Sequence, residues 1–429
     1  MITRELKDLN IKIYEEDLDN GLKVILLPFE KRTNYALQYI TRYGSEIDEF
    51  ISSTTKKRIK APYGVAHFLE HKMFEQEDGL DPFAFYSKTG TDANASTGYK
   101  LTSYIVEGTT NIEENLEFLI NYVNSPYFTD KNVEKEKGII IEELNMYLDE
   151  PENRLFDNNN KSVFVKHPMR RDIGGTPKSV SKITKEVLYE CYNTFYQPDN
   201  MLITIAGNFN IDTVMNIIKN NKKLKDRKKI GSIKTFRVKE PIRVNRKEKR
   251  IKIKNLFLPK FILTFKKELK ETKAQDIYKF KTTTDILLFS LFGSSSYFRE
   301  RMQANDMYSL FFTSCGSVDN IFLTEFIAET KKVDELKDEI VNLFLNGEIT
   351  PDDLERGKRV MISNEIIDSD SPFKIMDKIV DDLIEKNEMI LNRIEIIRSI
   401  TMDDLIKVRK EIINESKDNY SFVVAYPKE

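Results

Sequence analysis

Cysteine is scarce: Cys191 and Cys315 are the only two in 429 residues. Two thiols so far apart cannot build a disulfide framework, so reduced cysteines in a cytoplasmic protein are expected. The opening segment, MITRELKDLNIKIYEEDLDNGLKV, lacks an apolar core, and no secretory signal is expected. No stretch approaches the roughly 20 apolar residues of a membrane span. The longest apolar runs, such as Gly138–Ile141, are core-sized. An excess of one charge is missing as well. Lys and Arg number 67 against 69 Asp and Glu, a net charge of −2. A general nucleic-acid binder would carry a basic surplus, so that class is set aside. Histidine occurs only three times.

What remains is the balance of a soluble globular protein, 40% hydrophobic and 32% charged. The length exceeds one ordinary core and calls for two or more domains. Strands are expected at Leu22–Leu27, after the turn signal Asn20-Gly21, and at Ala36–Thr41, Thr102–Val106 and Met201–Ala206. Helical periodicity marks Val65–Phe74, Ile112–Asn124, Asn132–Leu148 and Thr184–Tyr196. A Lys- and Arg-rich stretch follows, read as a solvated linker rather than a contact surface. Beyond it the order recurs: a strand at Phe261–Phe265, helices at Gln275–Leu291, Lys332–Asn346 and Pro351–Ile367, and a last strand at Tyr420–Tyr426. The expectation is an α+β fold of two duplicated domains, residues 1–220 and 251–429, joined by a basic linker at 221–250.

Two of the three histidines fall in one short window, His67-Phe68-Leu69-Glu70-His71. On a helix, positions four apart share a face, and Glu70 lies beside them. Two imidazoles so placed suit one zinc ion, with the carboxylate free to move protons. Zinc lowers the pKa of a coordinated water towards about 7. Glu70 is therefore the candidate general base, passing a proton to the leaving amine. A third ligand should be a carboxylate on another helix. Glu143 has Ile139, Ile140 and Tyr147 on its face, whereas Glu142 faces polar neighbours. A carboxylate on an apolar face needs a partner, and zinc is an adequate one. Glu136, two turns before Glu143, is expected beside the metal ligands. His167 sits before Pro168 in a polar loop and is read as incidental.

These residues resemble the M16 peptidases, the pitrilysin and insulin-degrading family, and are closest to the YmfH-like branch of short bacterial members. The likeness also rests on Asn20-Gly21-Leu22, Gly44-Ser45, Asn94-Ala95, Gly175-Thr176, Ile183-Thr184, and Tyr196, Pro198 and Asn200-Met201. It implies two M16-type domains, each an antiparallel sheet with helices packed on it. It further implies one Zn2+ per chain and a zinc endopeptidase working in a dimeric clamshell. Peptide substrate would add as a strand beside Asn94 and Ala95. A second M16-family chain, as a heterodimer, or a second copy is the implied partner. In the family, the second domain carries an Arg and a Tyr seven apart that hold substrate. Arg301 and Tyr308 have that spacing, yet the preceding Ser295-Ser296-Tyr297-Phe298 aligns Met302 with the Arg. The clamp is therefore expected to come from a partner. The alternatives are a regulatory subunit without turnover and a peptide-binding chamber.

Overall fold

The computed structural model describes residues 1–225, 227–416 and 419–428. Asp226, in the expected linker, and Lys417, Asp418 and Glu429, in the expected second domain, lie outside the described residues. The chain forms two compact units. The first comprises Met1–Asn145, Arg171–Arg237 and Asp368–Asn387. The second comprises Met146–Arg170, Val238–Ile367 and Glu388–Glu429. The stretch 221–250 thus divides at Arg237 and Val238, and both parts are anchored. Thr235 bridges to Phe50 in the first unit, and Glu240 is buried in the second.

The first unit holds β1 (Ile2–Leu6), β2 (Ile11–Asp17), β3 (Lys23–Pro28), β4 (Tyr35–Thr41) and a small ribbon of β5 (Glu49–Ile51) and β6 (Arg58–Lys60). Then come β7 (Asp92–Thr97), β8 (Thr102–Gly108) and β9 (Met201–Gly207). Seven of these form one sheet in the order β1-β2-β3-β9-β4-β8-β7. All neighbours run antiparallel except β3 and β9. Side chains alternate across a strand, and β4 is buried on both faces. Leu37 and Tyr39 join the main core with the helices Ile112–Val123, Lys185–Phe195 and Val65–Met73. Gln38 turns the other way, 3.5 Å from Asp377 on the helix Pro372–Lys386.

The second unit contains β10 (Glu248–Ile253), β11 (Lys260–Glu268), β12 (Leu310–Val318), β13 (Ile321–Glu329) and β14 (Tyr420–Pro427). Their order is β10-β14-β11-β13-β12, and only β10 and β14 are parallel. This repeats β3-β9-β4-β8-β7, including the place of the one parallel pair. The architecture is two α+β domains of one topology, as the repeated element order predicts. One face of the second sheet packs Phe261, Leu263 and Phe265 against the helices Ala274–Phe292 and Met402–Ser416. The other carries the helix Pro151–Val163, with Leu155 against Ile262, Val423 and Ala425. Below that helix, Glu240 accepts hydrogen bonds at 2.7 Å from the backbone N–H groups of Val165, Lys166 and His167 and from buried Lys266. Burial alone would raise the Glu240 carboxyl, but these donors hold it below the ordinary range.

Candidate metal centre

The helix Val65–Met73 begins at Gly64, whose φ of +90° favours glycine. A Cβ there would lie 2.2 Å from the Gly174 carbonyl oxygen, so that loop can pack against the helix start only without one. One turn of helix then sets the His67 and His71 Nε2 atoms 3.2 Å apart. The helix Asp130–Asp149 supplies Glu143, with Oε1 3.8 Å from His67 Nε2 and Oε2 3.5 Å from His71 Nε2. One donor atom from each of the three residues lies within 4.8 Å of the others. Glu143 Oε2 is buried without a hydrogen-bond partner among the described residues. A buried carboxylate oxygen in that state is costly unless a cation shares it. Two imidazole nitrogens and a carboxylate are also a donor set that zinc takes. The residues present therefore fit the metal.

Glu136 lies on the same helix as Glu143 and is buried. Its Oε1 is 3.1 Å from His71 Nδ1. Its Oε2 is 3.9 Å from the ammonium of Lys72, a lysine with no exposed side chain that also pairs with Glu75. The face assigned to Glu143 is only partly apolar in effect: Ile140 is buried, whereas Ile139 and Tyr147 are exposed. The carboxylate is covered instead by the histidines opposite.

Burial and the neighbouring His71 push His67 down to about 4, so its imidazole is neutral at pH 7. For His71, burial alone would lower the pKa, but the Glu136 hydrogen bond and charge raise it above the ordinary value. Burial would likewise raise Glu136, yet His71 and Lys72 hold it below the carboxylate range. Glu70 is raised, chiefly by burial, with a hydrogen bond from Thr97 in partial opposition. That hydrogen bond runs from Thr97 Oγ1 to Glu70 Oε2.

Thr97 ends β7, the edge strand of the sheet, and Asn94 and Ala95 lie just before it. Asn94 is exposed, and its Oδ1 accepts from the Ala95 N–H at 2.9 Å. Sequence reasoning missed Thr97 and Lys72. Ala95 and Thr97, two apart on a strand, share a face, which was the available signal for Thr97. For Lys72 it was a charge placed between Leu69 and Met73, both buried.

Of the remaining sequence-predicted positions, His167, Arg301, Met302 and Tyr308 belong to the second unit. Arg301 pairs with Glu339 at 2.5 Å, and Tyr308 lies under the Arg299 guanidinium. Met302 is buried in the second core. His167 Nε2 is 3.2 Å from Asp319 Oδ2, and its Nδ1 accepts from the Met169 N–H. Cys191 and Cys315 are both free thiols. Among the described residues no helix is long and apolar enough to cross a membrane.

Residues 58–177 match the profile of insulinase, peptidase family M16, and residues 182–361 match that of the peptidase M16 inactive domain. A Bacillus subtilis (strain 168) protein named as an uncharacterized zinc protease, YmfH, is 35% identical over 95% of this chain and 96% of its own. A crystal structure described as an M16-like peptidase, from Alicyclobacillus acidocaldarius, superposes with a TM-score of 0.90. It is 28% identical and covers 98% of this chain and 99% of its own. A protease from Helicobacter pylori shares the fold, with a TM-score of 0.83 at 20% identity over 97% of this chain and 100% of its own. With matching profiles across both halves and a full-length relative named a zinc protease, this chain belongs to peptidase family M16.

Proposed function

We propose that the chain is a zinc-dependent endopeptidase that hydrolyses unfolded peptides or leader segments. In this reading His67, His71 and Glu143 hold one zinc ion and Glu70 is the general base. The observation that carries it is the convergence of two imidazole nitrogens on a buried, otherwise unpartnered carboxylate oxygen, with a second carboxylate on the same helix turn. Zinc, when bound, supplies Lewis acidity to the scissile carbonyl and to the attacking water.

The protein's own groups do the rest. Glu136 accepts from His71 Nδ1, which fixes the tautomer and leaves the Nε2 lone pair available to the metal. Glu70, raised by burial, takes the proton of the attacking water and delivers it to the leaving nitrogen. Substrate pairs as an added strand along β7, exchanging the bond between the Ala95 N–H and the Asn94 amide oxygen for bonds to its own backbone. The working form pairs this chain with a second M16-family chain or a second copy of itself.

Purified chain should hold about one zinc per chain and cleave an unstructured peptide library. His67→Ala should lose the metal. Glu70→Gln should keep it and lose about two to four orders of magnitude in kcat. Full activity of Glu70→Gln with zinc retained would sink the assigned base. Wild-type zinc binding with no cleavage, alone or with a second M16 chain, would favour a non-catalytic subunit.

A further inference from the structure

Among the described residues, the side-chain hydrogen bond to Glu70 from off its own helix comes from the strand read above as the docking edge. Thr97 Oγ1 donates to Glu70 Oε2 and lies 3.4 Å from Thr102 Oγ1, its partner across the β7–β8 ladder. Thr102 in turn donates to the Tyr43 carbonyl at 2.9 Å. The chain of contacts runs from a fixed inner strand, through Thr97, to the carboxylate. β7 itself is paired on one side only and is exposed at alternate residues. An edge strand with one neighbour gains order when a second strand adds to it.

We infer that Thr97 is a positioning residue coupling peptide docking on β7 to the orientation of Glu70. The inference rests on the peptidase reading of the same site. With Oε2 committed to Thr97, Oε1 is left as the proton-accepting atom. A peptide long enough to pair along Asn94–Thr97 steadies the hydroxyl and thereby the carboxylate. The benefit of a longer peptide then falls on kcat, because binding energy away from the cleaved bond is spent on alignment.

The test uses the full-length chain, with its partner chain if one is needed for turnover. Cleavage of a short and an extended unstructured peptide with the same cleaved bond is compared in wild type, Thr97→Val, Thr97→Ser and Thr97→Ala. Zinc content and thermal midpoint are measured on each. Thr97→Val should lose about 10- to 100-fold in kcat on the extended peptide, with KM within threefold and zinc unchanged. Its kcat should no longer depend on peptide length, and Thr97→Ser should restore both properties. Should Thr97→Val fail to fold, the Ser and Ala variants, which differ by the hydroxyl alone, decide in the same way. A kcat within twofold of wild type in the hydroxyl-free variants overturns the coupling, and so does an unchanged length dependence. Equal impairment of the Ser variant overturns it as well. Absence of zinc and cleavage in the wild type overturns the peptidase reading, whereas active wild type with indifferent Thr97 variants overturns this inference alone.

Discussion

At the scale of single residues, the cluster divides by what sequence spacing can see. His67, Glu70 and His71 lie within one helical turn, so local geometry alone puts them together. Glu143 was reached by asking which helical face needs a partner, although Ile139 and Tyr147 on that face turn out exposed. Lys72 was legible only as a charge between apolar positions, because its meaning lies in contacts with Glu136, far along the chain. Its burial leads to a prediction. A wholly buried ammonium beside Glu136 keeps that carboxylate charged and directed at His71 Nδ1. Lys72→Met keeps the volume of the stem and removes the charge. Zinc affinity, read by competition with a chromophoric chelator, should fall about 10- to 100-fold, the usual effect of losing an outer-shell partner. Unchanged affinity would mean that Glu136 needs no cation.

Elements were legible where burial is one-sided or periodic and illegible where it is neither. The helices Ile112–Val123 and Lys185–Phe195 and strands β4 and β9 lie within a residue or two of their expected bounds. β7 escaped because DANAST is small and polar, with no apolar alternation, as befits an open edge. Much of the second unit's polar interior also escaped, since its partners are distant in sequence. Glu240 is the sharpest case, because it fell in a stretch that looked like solvated linker. Its three backbone donors and Lys266 make a clasp with a definite pH signature. The folded pKa is below the unfolded value of about 4.3, so the clasp stabilises fully above that value. Its contribution is lost as pH falls through the depressed folded pKa. Glu240→Gln removes the carboxylate that faces the buried Lys266 ammonium, which keeps its bonds to the Val163 and Arg243 carbonyls, and should cost about 3–5 kcal/mol at pH 7 in denaturant unfolding. The gap between mutant and wild type should narrow on the acid side of about pH 4. A gap that is constant with pH would show that the ionised form of Glu240 is not what the clasp uses.

For the whole molecule, the repeat of topology was readable from element order, but the composition of each unit was not. Pro151–Val163, from the first half of the sequence, covers the second sheet, and Pro372–Lys386, from the second half, covers the first. Contiguity along the chain cannot reveal such an exchange, because each helix is amphipathic whichever sheet receives it. The second unit also bears on whether one chain suffices. Arg301 is held by Glu339, Tyr308 lies under Arg299, and Met302 is buried in the core. Arg301 and Tyr308 each face a partner other than one another. A charged hydrogen bond to substrate contributes about 1.5–3 kcal/mol, which corresponds to roughly 10- to 100-fold in rate. The chain alone is therefore expected to cleave peptides slowly. A second M16 chain that carries the Arg and Tyr should raise kcat/KM by about that factor. Light scattering coupled to size exclusion, run beside the cleavage assay, should show the gain appearing with the two-chain species. Arg301→Ala should leave the activity of the mixture near wild type, since its Nη2 faces Glu339 rather than a substrate. Full activity in a monomeric fraction, or its collapse in Arg301→Ala, would show that this chain brings its own clamp.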